Sequence, residues 1–159
     1  MSILLLAIAL AAPISPDSEE ARPAERVTCS VDVRALDAQG QPRSARLVSA
    51  SFAPAVVFRG RLSLHEREME DEATPATLLF DVFNARGQRY QVLVAEPRVV
   101  VSERDGHRVK KVSKTREAAL AVAGSSIAWT SMYGKWRVEP RIEGTSRRCG
   151  APEYFTIQP

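Results

Sequence analysis

The chain has 159 residues, of which 45% are hydrophobic and 26% are charged, and its net charge is +3. This size and composition exclude a wholly disordered chain and supply enough apolar side chains for one buried core. The basic residues are 18 arginines and 4 lysines. Either codon bias in a GC-rich bacterial genome or recognition of anions by planar guanidinium groups explains this imbalance.

The first residues, 1–12, form an uncharged apolar run. A helix needs about 20 residues to cross a bilayer, so this run is too short to span one. It is typical of a secretory signal peptide with cleavage near Ala11 or Ala12, although no Lys or Arg precedes it. The alternative is a buried N-terminal strand or helix. Residues 13–26 are rich in Pro, Ala and acids and predict a flexible lead-in, which leaves 27–159 as a single β domain.

The chain holds two cysteines, Cys29 and Cys149. In an exported protein they reach an oxidising compartment, the periplasm or the exterior, where we expect them to form a disulfide. Two buried free thiols are the alternative.

Alternation of apolar and polar residues predicts half-buried strands from Val27 onward. Two pentapeptides, beginning at Asp37 and at Asn84, share the pattern Asp/Asn, Ala, any residue, Gly, Gln. Each predicts a hairpin with a three-residue loop in which the glycine takes the left-handed conformation.

These loops set the expected pairing of the strands beside them. The first loop places Val33 opposite Ala45. The second places Phe80 opposite Val92 and makes one face of the hairpin over 78–94 wholly apolar. We therefore expect the second hairpin to lie at the centre of the core.

A further half-buried strand is predicted over 56–64, where Gly60 interrupts the apolar face. A glycine in this position indicates a bulge or a close backbone approach. The acidic stretch 65–72 has no apolar period and predicts an exposed connection. After the second hairpin, Glu96-Pro97 cannot form a tight hairpin turn, so a bend between two sheets is expected there.

Residues 99–112 predict another hairpin, with two possible registers. A two-residue turn ending at Gly106 places Val101 opposite Lys110, whereas a three-residue loop places Val101 opposite Val109. The three-residue loop separates apolar from polar side chains better, and we expect it for that reason.

The alanine-rich run 115–123 predicts one short helix, with a threonine at its start and a glycine after its end. Gly134 then begins a predicted two-residue hairpin turn. This hairpin places Trp129, Tyr133 and Trp136 on one face. Exposed, the three rings would form a stacking platform for sugars, but burial in the core is favoured.

Together these elements predict an all-β protein of about nine strands, built from hairpins, with one short helix near 115–123. The connections are too short for parallel crossovers, so the sheets should be antiparallel. An antiparallel β-sandwich and a flattened barrel both remain open.

Basic residues are concentrated on the ribbon after Pro97, where they produce a local positive field. This concentration predicts a site for an anionic partner. The alternative is an edge ribbon whose charges prevent association between sheets. The candidate residues are Arg104, Arg108, Lys110, Lys111, Lys114 and Arg116.

Residues able to carry catalysis are few. His65 and His107 fall in different predicted turns, and the serines after Gly124 lack the glycine pattern that flanks a hydrolase nucleophile. Carboxylates follow His65, but the central glycine of a calcium loop and a second nearby histidine are absent from this stretch. We predict no catalytic residue, no metal site and no cofactor.

These features favour an exported, non-enzymatic binding or structural module of the bacterial envelope. Its partner would be an envelope protein, an acidic glycan or an anionic lipid headgroup; nucleic acid and a transmembrane segment are not expected, and the oligomeric state is not indicated. The alternative is a small-ligand carrier whose barrel encloses a cavity lined by Phe80, Val92 and Trp129. A hydrolase is a third hypothesis.

Overall fold

The computed structural model describes residues 27–44, 46–64, 76–104 and 106–159. The predicted signal peptide, the lead-in and the acidic connection lie outside the described residues.

Within these residues the chain forms eleven strands and one short helix, a higher strand count than the nine expected. The elements are β1 (Val27–Leu36), β2 (Pro42–Ser44), β3 (Leu47–Ser49), β4 (Ala55–Leu64), β5 (Leu78–Phe83), β6 (Arg89–Ala95), β7 (Val99–Arg104), β8 (His107–Val112), β9 (Thr115–Ala121), α1 (Ser126–Trp129), β10 (Gly134–Ile142) and β11 (Glu153–Gln158).

The strands form two sheets and a separate ribbon. One sheet has the order β2-β1-β4-β9 and the other has the order β3-β11-β10-β5-β6, while β7 and β8 pair with each other and with no further strand of the described ranges. All described strand pairs are antiparallel, as expected, except β3 with β11, which is parallel. Since the two sheets share no paired strands among the described residues, the architecture is a sandwich rather than a closed barrel.

Aromatic rings from both sheets meet in the core. The ring of Phe58 on β4 lies 5.7 Å from that of Phe80 and 5.6 Å from that of Phe155, between ring centroids. Of the two interpretations of Gly60, the close approach is confirmed, because a Cβ there would overlap the buried side chain of Leu78 and press against that of Phe80. Its missing side chain therefore lets the two sheets come together.

The predicted disulfide joins Cys29 to Cys149. Cys29 lies on β1 of the four-stranded sheet, and Cys149 lies in the segment between β10 and β11 of the other sheet. The Cys29 N–H also donates to the Cys149 carbonyl at 2.9 Å. The bond therefore fastens the two sheets to each other.

The two loops with a shared sequence pattern have the same hydrogen bonds. Asp37 Oδ1 accepts from the backbone N–H groups two and four residues later, at 3.0 and 2.9 Å, and Asn84 Oδ1 accepts from the corresponding two groups, both at 3.0 Å. Gly40 and Gly87 have φ angles of 73° and 76°. The likeness of the two pentapeptides is thus explained by turn chemistry.

Asp37 should make the stability of the protein sensitive to acid. The N–H of Gln41, together with that of Gln39 and the Arg43 guanidinium, holds the pKa of Asp37 below its ordinary 3.8 against a smaller opposing effect of desolvation. A lowered folded-state pKa stabilises the protein above the unfolded value, and this stabilisation is lost as the pH falls through the folded value.

We therefore expect Asp37→Asn to lose less stability than the natural chain on acidification from about pH 5 to about pH 2. The asparagine keeps the accepting oxygen, as Asn84 does in the matching loop, but it does not titrate. Urea unfolding at several pH values measures the difference. Parallel pH profiles for the two chains would contradict the assignment.

The β5–β6 hairpin forms as predicted, but most of its register differs by one residue. Phe83 pairs with Arg89 as expected, and then Val82 pairs with Gln91, so Tyr90 is an extra residue in β6. Leu93 therefore packs against the core, and Val94, expected inside, is 55% exposed. A one-residue bulge exchanges the two faces of every following residue.

The first hairpin keeps the predicted register only near its loop. Arg34 pairs with Ser44 and Leu36 with Pro42, as the three-residue loop requires. The chain then leaves β1, because residues 47–49 form β3 beside β11 of the other sheet. On the side opposite β2, β1 pairs with β4.

The register expected for the β7–β8 ribbon is wrong. Val101 lies opposite Lys110 and Val100 opposite Lys111, which is the pairing of a two-residue turn. Segregation of apolar residues selects a register only where one face is buried. The valines of β7 are more than half exposed, so the turn alone determines the register of the ribbon.

The helix predicted over 115–123 is a strand, β9, which pairs with β4. Arg116, Leu120 and Val122 are buried at alternate positions along it and beyond its end. Because one inward position holds an arginine, the apolar–polar alternation of a strand is hidden in the sequence. The alanines are compatible with both a helix and a strand. The short helix of the fold is α1 instead.

The hairpin predicted around Gly134 does not form. β10 pairs with β5 and with β11, both distant in sequence, and the segment before it contains α1. Trp129 and Trp136, expected on one face, are 79% and 0% exposed. The C-terminal segment forms β11, which pairs with β10 and with β3.

Candidate functional site

The β7–β8 ribbon links the edge strands of the two sheets. β6 ends at Ala95 and β9 begins at Thr115, so the Glu96-Pro97 bend lies where the chain leaves the five-stranded sheet. At its base, the Ser113 N–H donates to the Arg98 carbonyl at 2.8 Å. The close contacts of each ribbon strand are almost entirely with the other. The ribbon is therefore an appendage that neither sheet covers.

Three of the predicted basic residues lie together on this ribbon. Arg108, Lys110 and Lys111 are exposed residues of β8. Strand alternation places Arg108 and Lys110 on one face and Lys111 on the other. No ion pair involves any of the three among the described residues. Their charges are thus available to a partner.

Two further predicted residues flank these three. Arg104 ends β7, where its backbone pairs with that of His107. Lys114 is exposed between the ribbon and β9, and its carbonyl accepts from the N–H of Leu62 at 3.0 Å. The backbone of Lys114 therefore anchors the ribbon to the four-stranded sheet.

Arg116 is separated from this surface because it is fully buried. Its guanidinium donates to the carbonyls of Ala76, at 3.1 Å, and of Ser113. Burial lowers the pKa of Arg116. This arginine fixes the beginning of β9 to the segment before β5 and does not contribute to an exposed site.

Exposed apolar side chains accompany the cations. Val99, Val100 and Val101 are 61%, 52% and 55% exposed. Consecutive strand residues point to opposite faces, so both faces of the ribbon present valine. The ribbon thus combines uncovered apolar surface with positive charge.

A second basic region, on the outer face of the five-stranded sheet, was not among the predicted sites. Arg141 Nε lies 2.6 Å from Asp81 Oδ2, and Arg89 Nη1 lies 3.8 Å from Asp81 Oδ1. Asp81 is only 7% exposed. These arginines surround an almost buried carboxylate, which partly neutralises them.

The neighbouring arginines are engaged in the same way. Arg137 Nε lies 3.0 Å from a Glu139 oxygen, and Arg148 Nη1 lies 3.5 Å from the same atom. The Arg137 guanidinium also stacks over the Phe83 ring at 4.4 Å. The signal in the sequence was the alternation of charges along β10, which the wrongly predicted hairpin obscured.

A cleft of about 260 Å³ lies between the β5–β6 loop and the segment after α1. Ser131 on its wall has a φ angle of 53°, in the left-handed region that residues other than glycine seldom occupy. Hydroxyl and amide groups line much of it. The lining residues are Asn84, Ala85, Arg86, Gln88, Thr130, Ser131, Met132 and Tyr133.

The residues expected to line a carrier's cavity do not meet. Phe80 is fully buried between the sheets, while Trp129 is exposed on α1. Val92 pairs with Asp81 and shares its outward face. The predicted apolar cavity is therefore not formed by these three side chains.

Reactive groups are sparse in the part of the chain that the structure describes. His107 is exposed at the start of β8, whereas His65 lies outside the described residues. Both cysteines are held in the disulfide. No group of three or more metal-binding side chains occurs among the described residues.

The fold and the ribbon define a disulfide-bonded β-sandwich with a basic appendage. No protein-family model and no curated protein matches the chain. Among solved structures, an immunoglobulin-like protein from Pseudomonas aeruginosa is similar, with a TM-score of 0.43 and 17% sequence identity over 83% of this chain and 96% of that one. No helix in the described ranges is long and apolar enough to cross a membrane.

Proposed function

We propose that this chain is an exported, non-enzymatic binding or structural module of the bacterial envelope that contacts an anionic partner through the β7–β8 ribbon. One observation carries the proposal. Arg108, Lys110 and Lys111 are exposed on a ribbon whose strands make few contacts with either sheet, and they have no ion-pair partner among the described residues.

Export is supported by two independent features. The apolar run over 1–12 has the composition of a signal peptide. The bond between Cys29 and Cys149 is typical of proteins in oxidising compartments. A periplasmic or secreted location follows, and the partner would be an acidic protein surface, an acidic glycan or an anionic lipid headgroup.

The contrast between the two basic regions supports the choice of the ribbon as the contact surface. The positive charges of the arginines around Asp81 and Glu139 are largely compensated by these neighbouring carboxylates. A cation near an anionic surface contributes on the order of 1 kcal/mol when it is not already compensated. The cations of β8 retain this contribution, and binding should weaken as salt is added.

Changing Lys110 and Lys111 together to glutamate should lower the affinity for immobilised heparin by about tenfold or more. The reason is that the favourable electrostatic contributions of two cations to binding become unfavourable. The measurement is the salt concentration at elution, with circular dichroism to verify the fold. The matched control is Arg86→Glu with Lys135→Glu, which changes the net charge equally at two exposed positions on the sandwich.

The two pairs of substitutions separate a local site from a general charge effect. The proposal requires the β8 pair to elute early while the control pair elutes close to the natural chain. Equal shifts for both pairs would show that only net charge matters. Unchanged elution of the β8 pair would remove the ribbon as the site.

A further inference from the structure

Among the described residues no strand pairs with the edge of β7 that faces away from β8, and β7 has the composition of an interior strand. Val99, Val100 and Val101 form an uninterrupted apolar run, which is typical of strands covered on both faces. Each of the three is at least half exposed here. An exposed apolar strand edge of this kind is a template for pairing with another strand.

The backbone groups of this edge point away from β8. Because Ser113 N–H donates to the Arg98 carbonyl, hydrogen-bonded pairs with β8 fall at alternate β7 residues, which include Val100. In an antiparallel pair the intervening residues direct their N–H and C=O groups outward. Val99 and Val101 therefore present donors and acceptors at the free edge.

The two edges of the ribbon differ in charge. β8 carries Arg108, Lys110 and Lys111, so two β8 edges would repel each other. From Val99 to Ser102, β7 carries no charge. Self-association is thus opposed at one edge and unopposed at the other.

We propose that β7 pairs antiparallel with β7 of a second copy of this chain. The resulting four-stranded sheet, in the order β8-β7-β7-β8, has the valine strands inside and the cationic strands at its edges. Setting the two-fold axis beside Val100 places it opposite its own symmetry mate and Val99 opposite Val101. This register aligns the outward hydrogen-bonding groups and opposes valine to valine.

This dimer goes beyond the proposed contact with an anionic partner and does not depend on it. The cations of β8 stay at the outer edges, so a dimer would present two basic strands to the same partner. Two linked contacts bind more tightly than one when both can engage.

Val100→Cys tests the register directly. In the proposed dimer the two cysteines form a non-hydrogen-bonded pair with Cα atoms about 4.5 Å apart, a separation that a disulfide can span. Because Cys29 and Cys149 are bonded to each other, the new thiol is the only free one. Under mild oxidation we expect a covalent dimer on a non-reducing gel.

Val94→Cys is the matched control, since Val94 is 55% exposed and Val100 is 52% exposed. The control should remain largely monomeric under the same oxidation. Crosslinking of Val100→Cys that is no faster than that of the control would overturn the proposal.

Sedimentation velocity provides a second measurement on the unmodified chain. We expect a dimer that Val101→Pro abolishes, because proline removes an outward N–H while leaving the pairing of β7 with β8 intact. The Lys110→Glu, Lys111→Glu variant should still form the dimer, which separates this proposal from the anion site. A natural chain that stays monomeric at its highest soluble concentration, or a dimer that Val101→Pro leaves intact, would contradict the pairing.

Discussion

Removing the disulfide by Cys29→Ala and Cys149→Ala should lower the free energy of unfolding by about 4–5 kcal/mol. The bond joins residues separated by 120 positions, and in the chain-entropy model a loop of this length restricts the unfolded chain strongly. The total stability of a typical domain is about 5–15 kcal/mol, so this loss amounts to between about a third and nearly all of it. Urea unfolding of the natural chain and the double variant measures the difference.

Reduction of the natural chain is the control for this result. Unfolding in the presence of dithiothreitol should shift by a similar amount, because it removes the same restriction without changing a side chain. Both measurements remove the covalent link between β1 and the segment before β11. A change of less than about 1 kcal/mol in each would mean that the unfolded chain is already compact.

Trp136→Ala should be the most damaging single substitution in the core, costing about 3–5 kcal/mol. Trp136 is fully buried, its ring packs edge-on against that of Tyr90 at 5.2 Å, and its Nε1 donates to the Met132 carbonyl at 2.9 Å. Truncation therefore leaves both a cavity and an unpaired acceptor. Chemical denaturation followed by circular dichroism gives the loss.

Trp129→Ala is the matched control, because the second tryptophan is 79% exposed on α1. Its effect should stay within about 0.5 kcal/mol. If Trp136→Ala does not fold, Trp136→Phe should give a smaller loss of the same sign. Equal effects of truncating the two tryptophans would contradict their opposite burial.

The bulge in β6 shows why strand pairing was only partly predictable. The loop at Asn84 specifies the first pair, Phe83 with Arg89, through local hydrogen bonds. The extra residue, Tyr90, packs on Trp136, and its hydroxyl lies 2.7 Å from Ser126 Oγ. Both of those residues are distant in sequence, so no local pattern indicates the bulge.

The candidate site was predicted in part for a similar reason. The cations on β8 follow directly from a run of charged residues on a strand, and that run is visible in the sequence. The burial of Arg116 depends on its acceptor at Ala76, forty residues away. The predicted register of the ribbon was wrong because the prediction required one buried face, whereas the valines of β7 are exposed.

The sequence by itself determined the all-β class and the two Asp/Asn loops, and it included the close approach at Gly60 and the pairing of the cysteines among its stated alternatives. Each depends on a local conformational preference, an alternation of residues or a simple count. The tertiary structure alone decided that residues 115–121 are a strand, that β10 lies between β5 and β11, and that the ribbon is uncovered. Those outcomes depend on which distant strand supplies hydrogen bonds and apolar contact, and several partners satisfy the same local pattern.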